Sequence, residues 1–283
     1  METAPTTRVG ALLREWRQRR RLSQLDLSLL ADTSARHLSY LETGRALPSR
    51  SMVLRLSEAL DVPLRERNVL LMAADYAPAY RESSLDDEDM AAIRAALDMM
   101  MKAHEPYPAV VVDRLWNLVA GNGALGVLMD GIPDHLLAPV PNVFRLMLHP
   151  EGLAARLANL DQVRDLTLTR LRRQVEATGD AELRALYDEV STYPDPAPPA
   201  ALADGSAPPH PDAGWPDTPA ARPSPIQVPI RVRTPVGVLS MFGTMTTFGT
   251  PADVTLSELA IELFYPLDEF TAAMLRGRVA PPK

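Results

Sequence analysis

The sequence predicts two folded parts. The first is an all-α headpiece of five short helices, and the second an α+β domain in which one five-stranded antiparallel sheet is covered by helices. Three observations carry this. Capped segments with helical apolar spacing fill the first 75 or so residues. Behind them come two short β-rich runs, a helical middle and three further strand-like runs. Charge divides at the same place: residues 1–75 hold 12 arginines against 9 acids, leaving +3, and the remainder holds 17 basic residues against 27 acids, leaving −10. The net charge of −7 therefore averages a basic headpiece with an acidic body.

Composition narrows the class of protein. With 46% hydrophobic and 23% charged residues in 283, and a mean hydropathy of −0.08, the chain reads as folded and soluble. The absence of cysteine excludes a disulfide scaffold, a thiolate zinc site, an iron–sulfur cluster and a cysteine nucleophile. No apolar run reaches the ~20 residues of a bilayer span, and residues 1–10 show no signal-peptide core, so a cytoplasmic protein is expected.

In the headpiece, Val9, Leu12, Leu13 and Trp16 fall at i, i+3, i+4 and i+7 and define an amphipathic helix over about residues 8–20. Its arginines turn outward, among them the cluster Arg17, Arg19, Arg20 and Arg21, which also reads as a plain solvated face. Ser23 offers an N-cap with Leu25 and Leu29 one helical turn apart behind it. Ser34 caps a third helix with Leu38 and Leu41 on one face, and Gly44 stops it. Ser49 caps a fourth carrying Val53, Leu56 and Leu60, and Pro63 precedes a fifth over about residues 64–74. Two of these helices joined by a tight turn at Asp32-Thr33 describe a helix-turn-helix module.

The segment LSQLDLSLLADTSARHLSYLETGRALPS closely resembles the DNA-binding domain of XRE-type, phage-repressor-like regulators, over roughly residues 8–74. The resemblance implies that the third helix enters the major groove with Ala35, Arg36, Ser39 and Tyr40 outward, and that the protein reads a double-stranded operator. Arg36 is the choice for a bidentate contact to guanine. Gln24, opening the second helix, would meet a phosphate, and Arg45, Ser49 and Arg50 suit the backbone. With the cap Ser34 these nine form the DNA-facing set. Glu42 matches a position that in this family usually pairs with an arginine of the first helix, here Arg17, so Arg17 reads as structural ahead of the alternative, a DNA contact. His37 is a base reader or, more commonly for a mid-helix histidine, a packing or capping group, and Tyr40 also suits covering the core edge.

Behind the headpiece, residues 82–89 carry five acids and read as an exposed hinge or helix start, followed by a helix with Ile93, Leu97 and Met101. PAVVVD and LWNLVA pair as a hairpin. The stretch from 122 to about 192 is helical, strands return at 228–234 and 236–248, and the run 259–265 precedes a closing helix at 267–276. This layout matches a PAS-like sensor. EPYPAVVVDRLWNLVAGN, NVFRLMLHPEGL, TRLRRQ, FGTMTTFGTPADVTLSELAIELFYP and LDEFTAAML resemble the ligand-binding domain of MmyB-like transcription regulators over residues 104–276. Two departures are FYPLD, where the family more often has Ala before the Asp, and a longer proline-rich segment.

That resemblance implies domains at 1–80 (helix-turn-helix), 81–103 (connecting helix or hinge) and 104–278 (ligand-binding, with a proline-rich loop at 194–227). It also implies a cavity for a small apolar ligand, a fatty acid above all. Tyr107, Trp116, Phe144, Met147, Met241, Phe242, Met245 and Phe248 are the candidate lining. Each of these equally suits filling a core, and Met99, Met100 and Met101 suit plastic packing. The competing reading is a DNA-binding regulator whose second domain is a filled module for dimerisation or for a partner protein.

Other chemistry finds little purchase. Gly121-Asn-Gly-Ala-Leu-Gly126 is a literal GxGxxG, but no acid in 139–149 suits a ribose and no parallel strand follows, so turn chemistry is expected, with no cofactor. The histidines at 37, 104, 135, 149 and 210 never recur at metal-ligand spacing, so no metal is expected. No nucleophile elbow, P-loop or carboxylate pair stands out, and the protein is not expected to be an enzyme. Twelve of the 27 prolines lie between Pro194 and Pro229, which reads as a surface loop inside the second domain, tacked down by Trp215; a polyproline partner site is the alternative. A homodimer reading two half-sites is expected, since one helix makes too few base contacts for specific affinity.

Overall fold

In the computed structural model, which describes residues 7–196 and 228–277, five helices build the headpiece. They are α1 (Arg8–Arg19), α2 (Gln24–Leu30), α3 (Ala35–Glu42), α4 (Arg50–Ala59) and α5 (Leu64–Ala73). Thr7, Ser23, Ser34 and Ser49 cap the first four through side-chain oxygens, each accepting an N–H three residues on. At Ser23 the cap is reciprocal: its own N–H donates to Asp26 Oδ2 at 2.9 Å. Val9, Leu13, Trp16, Leu27, Leu38, Leu41, Val53, Leu56, Leu60 and Leu70 meet in one core. Gly10 lets α1 cross α3 closely, since a Cβ there would lie 2.4 Å from the Leu41 carbonyl oxygen. Gly44, at φ +74°, ends α3 in the left-handed region.

The periodicity of α2 misleads. Leu27 and Ala31 face the core, whereas Leu25 and Leu29, the pair behind the cap, are 60% and 73% exposed.

The rest of the chain contributes α6 (Ala91–Ala103), β1 (Ala109–Val112), β2 (Leu118–Gly121), α7 (Gly126–Met129), α8 (Asp134–Leu137), α9 (Val143–Leu148), α10 (Leu160–Thr178) and α11 (Ala181–Val190). After the segment outside the described residues come β3 (Ile230–Thr234), β4 (Gly237–Thr247), α12 (Val254–Glu258), β5 (Ala260–Pro266) and α13 (Glu269–Leu275). The five strands form one antiparallel sheet in the order β2-β1-β5-β4-β3, a PAS-like arrangement. Most of the proline-rich loop, with Trp215 and His210, lies outside the described residues.

Strand register sorts the side chains into two faces. Val110 and Val112 of β1, Val232 of β3, Leu239 and Met241 of β4 and Phe264 of β5 share a core with Leu128, Leu136, Phe144, Leu148, Leu171 and Leu183 from the helices of the middle segment. Val111 and Ile261 are buried on the opposite face, where α6 lies against β1. Covering both faces explains why AVVV does not alternate: all four residues are buried.

Contacts divide the described residues into two compact units. Residues 7–84, 176–178 and 250–257 belong to one, and the others, from Leu85 on, to the second. The helix expected as a connector, α6, is thus part of the second unit.

Candidate functional site

In α3, Leu38 and Leu41 are fully buried, which turns Arg36 out to solvent and leaves Ser39 and Tyr40 half-buried beside it. Arg36 Nε donates to the Tyr40 hydroxyl at 3.0 Å, and its guanidinium carbon lies 5.4 Å from the Tyr40 ring centre. That contact occupies Nε and leaves the Nη1/Nη2 fork, the edge that pairs with two acceptors on a guanine. Arg45 reaches the same ring at 6.0 Å, placed there by the turn in which its N–H donates to the Tyr40 carbonyl. Ala35 is half-buried, while Ser34, Ser49 and Arg50 are exposed, the two serines at helix N-termini. Ser34 accepts the N–H of His37, so its oxygen is committed to the cap.

Arg17 lies behind this face. Its Nε and Nη2 donate to Glu42 Oε1 and Oε2 at 2.6 and 2.8 Å, and Nη1 donates to the Leu22 carbonyl. Its hydrogen bond to Glu42 raises the Arg17 pKa further, so the cation is permanent. The pairing is the one expected from the sequence, and it makes Arg17 a strut. Gln24 corrects an expectation: its Nε2 donates to Glu42 Oε2 at 2.8 Å, so the side-chain amide completes the buried network instead of facing outward. Arg20 is likewise structural, donating to the carbonyls of Leu60 and Asp61, and both Arg19 and Arg20 stack on Trp16. Three of the four arginines of the dense basic cluster, Arg17, Arg19 and Arg20, thus make contacts within the headpiece.

In the second unit the eight candidate lining residues do not line one space. Trp116, Phe144 and Met241 are buried in the core on the helix-covered face, with the Trp116 and Phe144 rings 4.5 Å apart and Met147 packed against them. Met245 continues the same side of β4, 40% exposed. Tyr107 and Phe242 belong to the other face, in an aromatic chain: His104 is 5.9 Å from Tyr107 and 4.9 Å from Tyr265, which stacks on Phe242 at 5.3 Å. Adjacent residues of a strand point to opposite faces, so Met241 and Phe242 could not both line one cavity. Phe248 is half-buried beyond the end of β4.

Sequence reasoning missed the polar group on the helix-covered face. Arg170 of α10 lies 4.2 Å over the Trp116 ring, 3.3 Å from Glu262 Oε1, and donates to Met245 Sδ at 2.8 Å. Glu262 is only 13% exposed; burial pushes its carboxyl pKa up, and Arg170 pulls it back. Trp116 sits at φ +67°, unusual for a bulky residue, and its Nε1 donates to Gln174 Oε1 at 2.7 Å. The signal available was a lone acid alternating within the apolar strand AIELFYP.

The GxGxxG run is turn chemistry. β2 runs antiparallel to β1, and Asn122 clamps the turn, accepting the Ala109 N–H at 3.0 Å and donating to the Tyr107 carbonyl at 2.7 Å. Two histidines set aside on sequence spacing are brought together with an acid: His135, His149 and Glu151 each place a ligand atom within 4.8 Å of the others.

Residues 93–277 match the family model described as the MmyB-like transcription regulator ligand binding domain. The chain belongs to this family. Residues 8–70 match a helix-turn-helix domain model, and that domain joined to an MmyB-like ligand-binding domain is the make-up of a DNA-binding transcription regulator. No curated protein matches the chain. Among solved structures it is similar to one described as an RNA-binding Light-Oxygen-Voltage receptor, at 13% identity and a TM-score of 0.24, over 96% of this chain and 61% of that one. The likeness is too slight to carry an argument. No helix among the described residues is long and apolar enough to cross a membrane.

Proposed function

We propose that this MmyB-like chain is a sequence-specific, operator-binding regulator that acts as a homodimer, with α3 reading the major groove. The observation that supports it best is the Arg36 fork, held by Tyr40 on the solvent side of a capped helix in a helix-turn-helix domain. Ser39 and Tyr40 flank it, and Arg45, Ser49, Arg50 and the N-terminus of α2 serve the phosphates. Selection of bound duplexes from a random library tests this. It should enrich a motif of two half-sites about one helical turn apart, and a library that stays random would contradict the reading.

The second domain senses a small amphiphile, a fatty acid above all. Its support is the Arg170 guanidinium, which with Glu262 forms a polar group against an apolar core and offers donors to an acidic head group. A second reading has an observation of its own. Trp116, Phe144 and Met241 fill the core, as a ligand-free interaction module requires. Native mass spectrometry of the purified chain separates them: a co-purifying small acid supports the sensor, and a bare dimer or a complex with another protein supports the module.

A further inference from the structure

His135 lies in α8, His149 is the C-cap of α9, and Glu151 follows in the turn before Leu153. His135 Nε2 stands 3.4 Å from Glu151 Oε2, and the His135 and His149 rings meet edge-on at 5.7 Å. We propose that these three side chains bind a divalent transition metal of the zinc type, a site independent of the DNA-reading face and of the Arg170 group. Donors around a tetrahedral zinc at ~2.0–2.1 Å lie about 3.3 Å apart, so the His135–Glu151 spacing already fits one edge of the tetrahedron. With the third ligand atom within 4.8 Å, a small side-chain adjustment completes the set. Two imidazoles and one carboxylate favour zinc, cobalt or nickel over magnesium and calcium, which prefer all-oxygen ligands.

The turn holds two of the ligands together. Gly152 N–H donates to the His149 carbonyl at 2.8 Å, and the approach of Gly152 to the Leu146 carbonyl leaves no room for a Cβ. The His149 ring packs edge-on against Tyr193 at 5.0 Å. Its Nδ1 accepts the Glu151 N–H at 3.2 Å, the one contact that metal binding must rearrange. The nearby cation, Arg145, is committed to Glu189 through two bonds of 2.8 and 2.7 Å, which lowers its repulsion of an incoming metal. His135 and Glu151 are more than half exposed, which gives the ion entry and leaves water the fourth position. A bound metal would staple α8 to the end of α9, two elements that supply Leu136, Phe144 and Leu148 to the core.

The test uses the full-length chain without a histidine tag, stripped with a chelator and titrated with Co²⁺ and then with Zn²⁺. One equivalent of Co²⁺ should give the visible absorption of a four-coordinate site, Zn²⁺ should displace it, and either should raise the unfolding temperature. His135→Ala and Glu151→Gln should each weaken binding about tenfold or more while keeping the circular dichroism of the parent, and His210→Ala should change nothing. The proposal is overturned by a failure to saturate at one equivalent, by binding that survives in both ligand variants, or by binding lost in His210→Ala alone.

Discussion

Glu42 shows how single side chains divide between holding the reading helix and reading with it. Only 3% exposed, it receives two bonds from Arg17 and one from Gln24, a closed network beneath the outward face of α3. Glu42→Gln leaves the Arg17 cation facing a neutral partner. Urea unfolding should show a loss of about 3 kcal/mol, as for other half-removed buried pairs, and a loss under ~0.5 kcal/mol would contradict the network. Tyr193 carries a pH dependence. Burial first, and then its hydrogen bond to Glu189, push its pKa up to about 12 from ~10 in an unfolded chain. The folded state therefore keeps the proton longer. The stability tied to Tyr193 is whole below about pH 10 and is lost as the pH rises through 12. Tyr193→Phe should flatten the fall in stability over that window, and a fall as steep as the parent's would refute the assignment.

At the scale of elements, α2 is the sharpest case. Its buried side is Leu27 and Ala31, so Leu27→Ala should cost ~2–5 kcal/mol in thermal or urea unfolding, and Leu29→Ala should stay within ~0.5. Equal effects would mean that the helix is turned the other way. Four leucines in seven residues leave the apolar face undefined by periodicity, so the spacing of Leu25 and Leu29 does not identify the buried side. Three caps of the headpiece were legible, because Ser23, Ser34 and Ser49 act on residues three positions ahead, whereas Thr7, the cap of α1, was missed. Strand faces were not legible: Met241 and Phe242 are both large and apolar, and only pairing with Pro266 and Tyr265 assigns them to sides. Long-range polar groups were the least legible. Arg170 and Glu262 stand 92 positions apart and meet only when α10 lies across the sheet. His135 reaches Glu151 through a fold that no spacing rule encodes.

For the molecule as a whole, the division of charge is the physical basis of the account. On the proposed function, the arginine-rich headpiece is the part that attracts phosphate without regard to sequence, while the −10 of the remaining residues disfavours contact with DNA elsewhere. Specificity has to come from base edges, and among the outward residues of α3 only Arg36 carries a two-donor fork. The most direct test is the ratio of affinities for a library-selected operator and a scrambled duplex, measured for the parent and Arg36→Ala across a salt series. The account predicts that the ratio falls about tenfold or more, the ~1–3 kcal/mol of one bidentate contact at each half-site, while binding to the scrambled duplex stays weak and steeply salt-dependent. A variant that keeps the parent's ratio would show that α3 does not read the operator through Arg36.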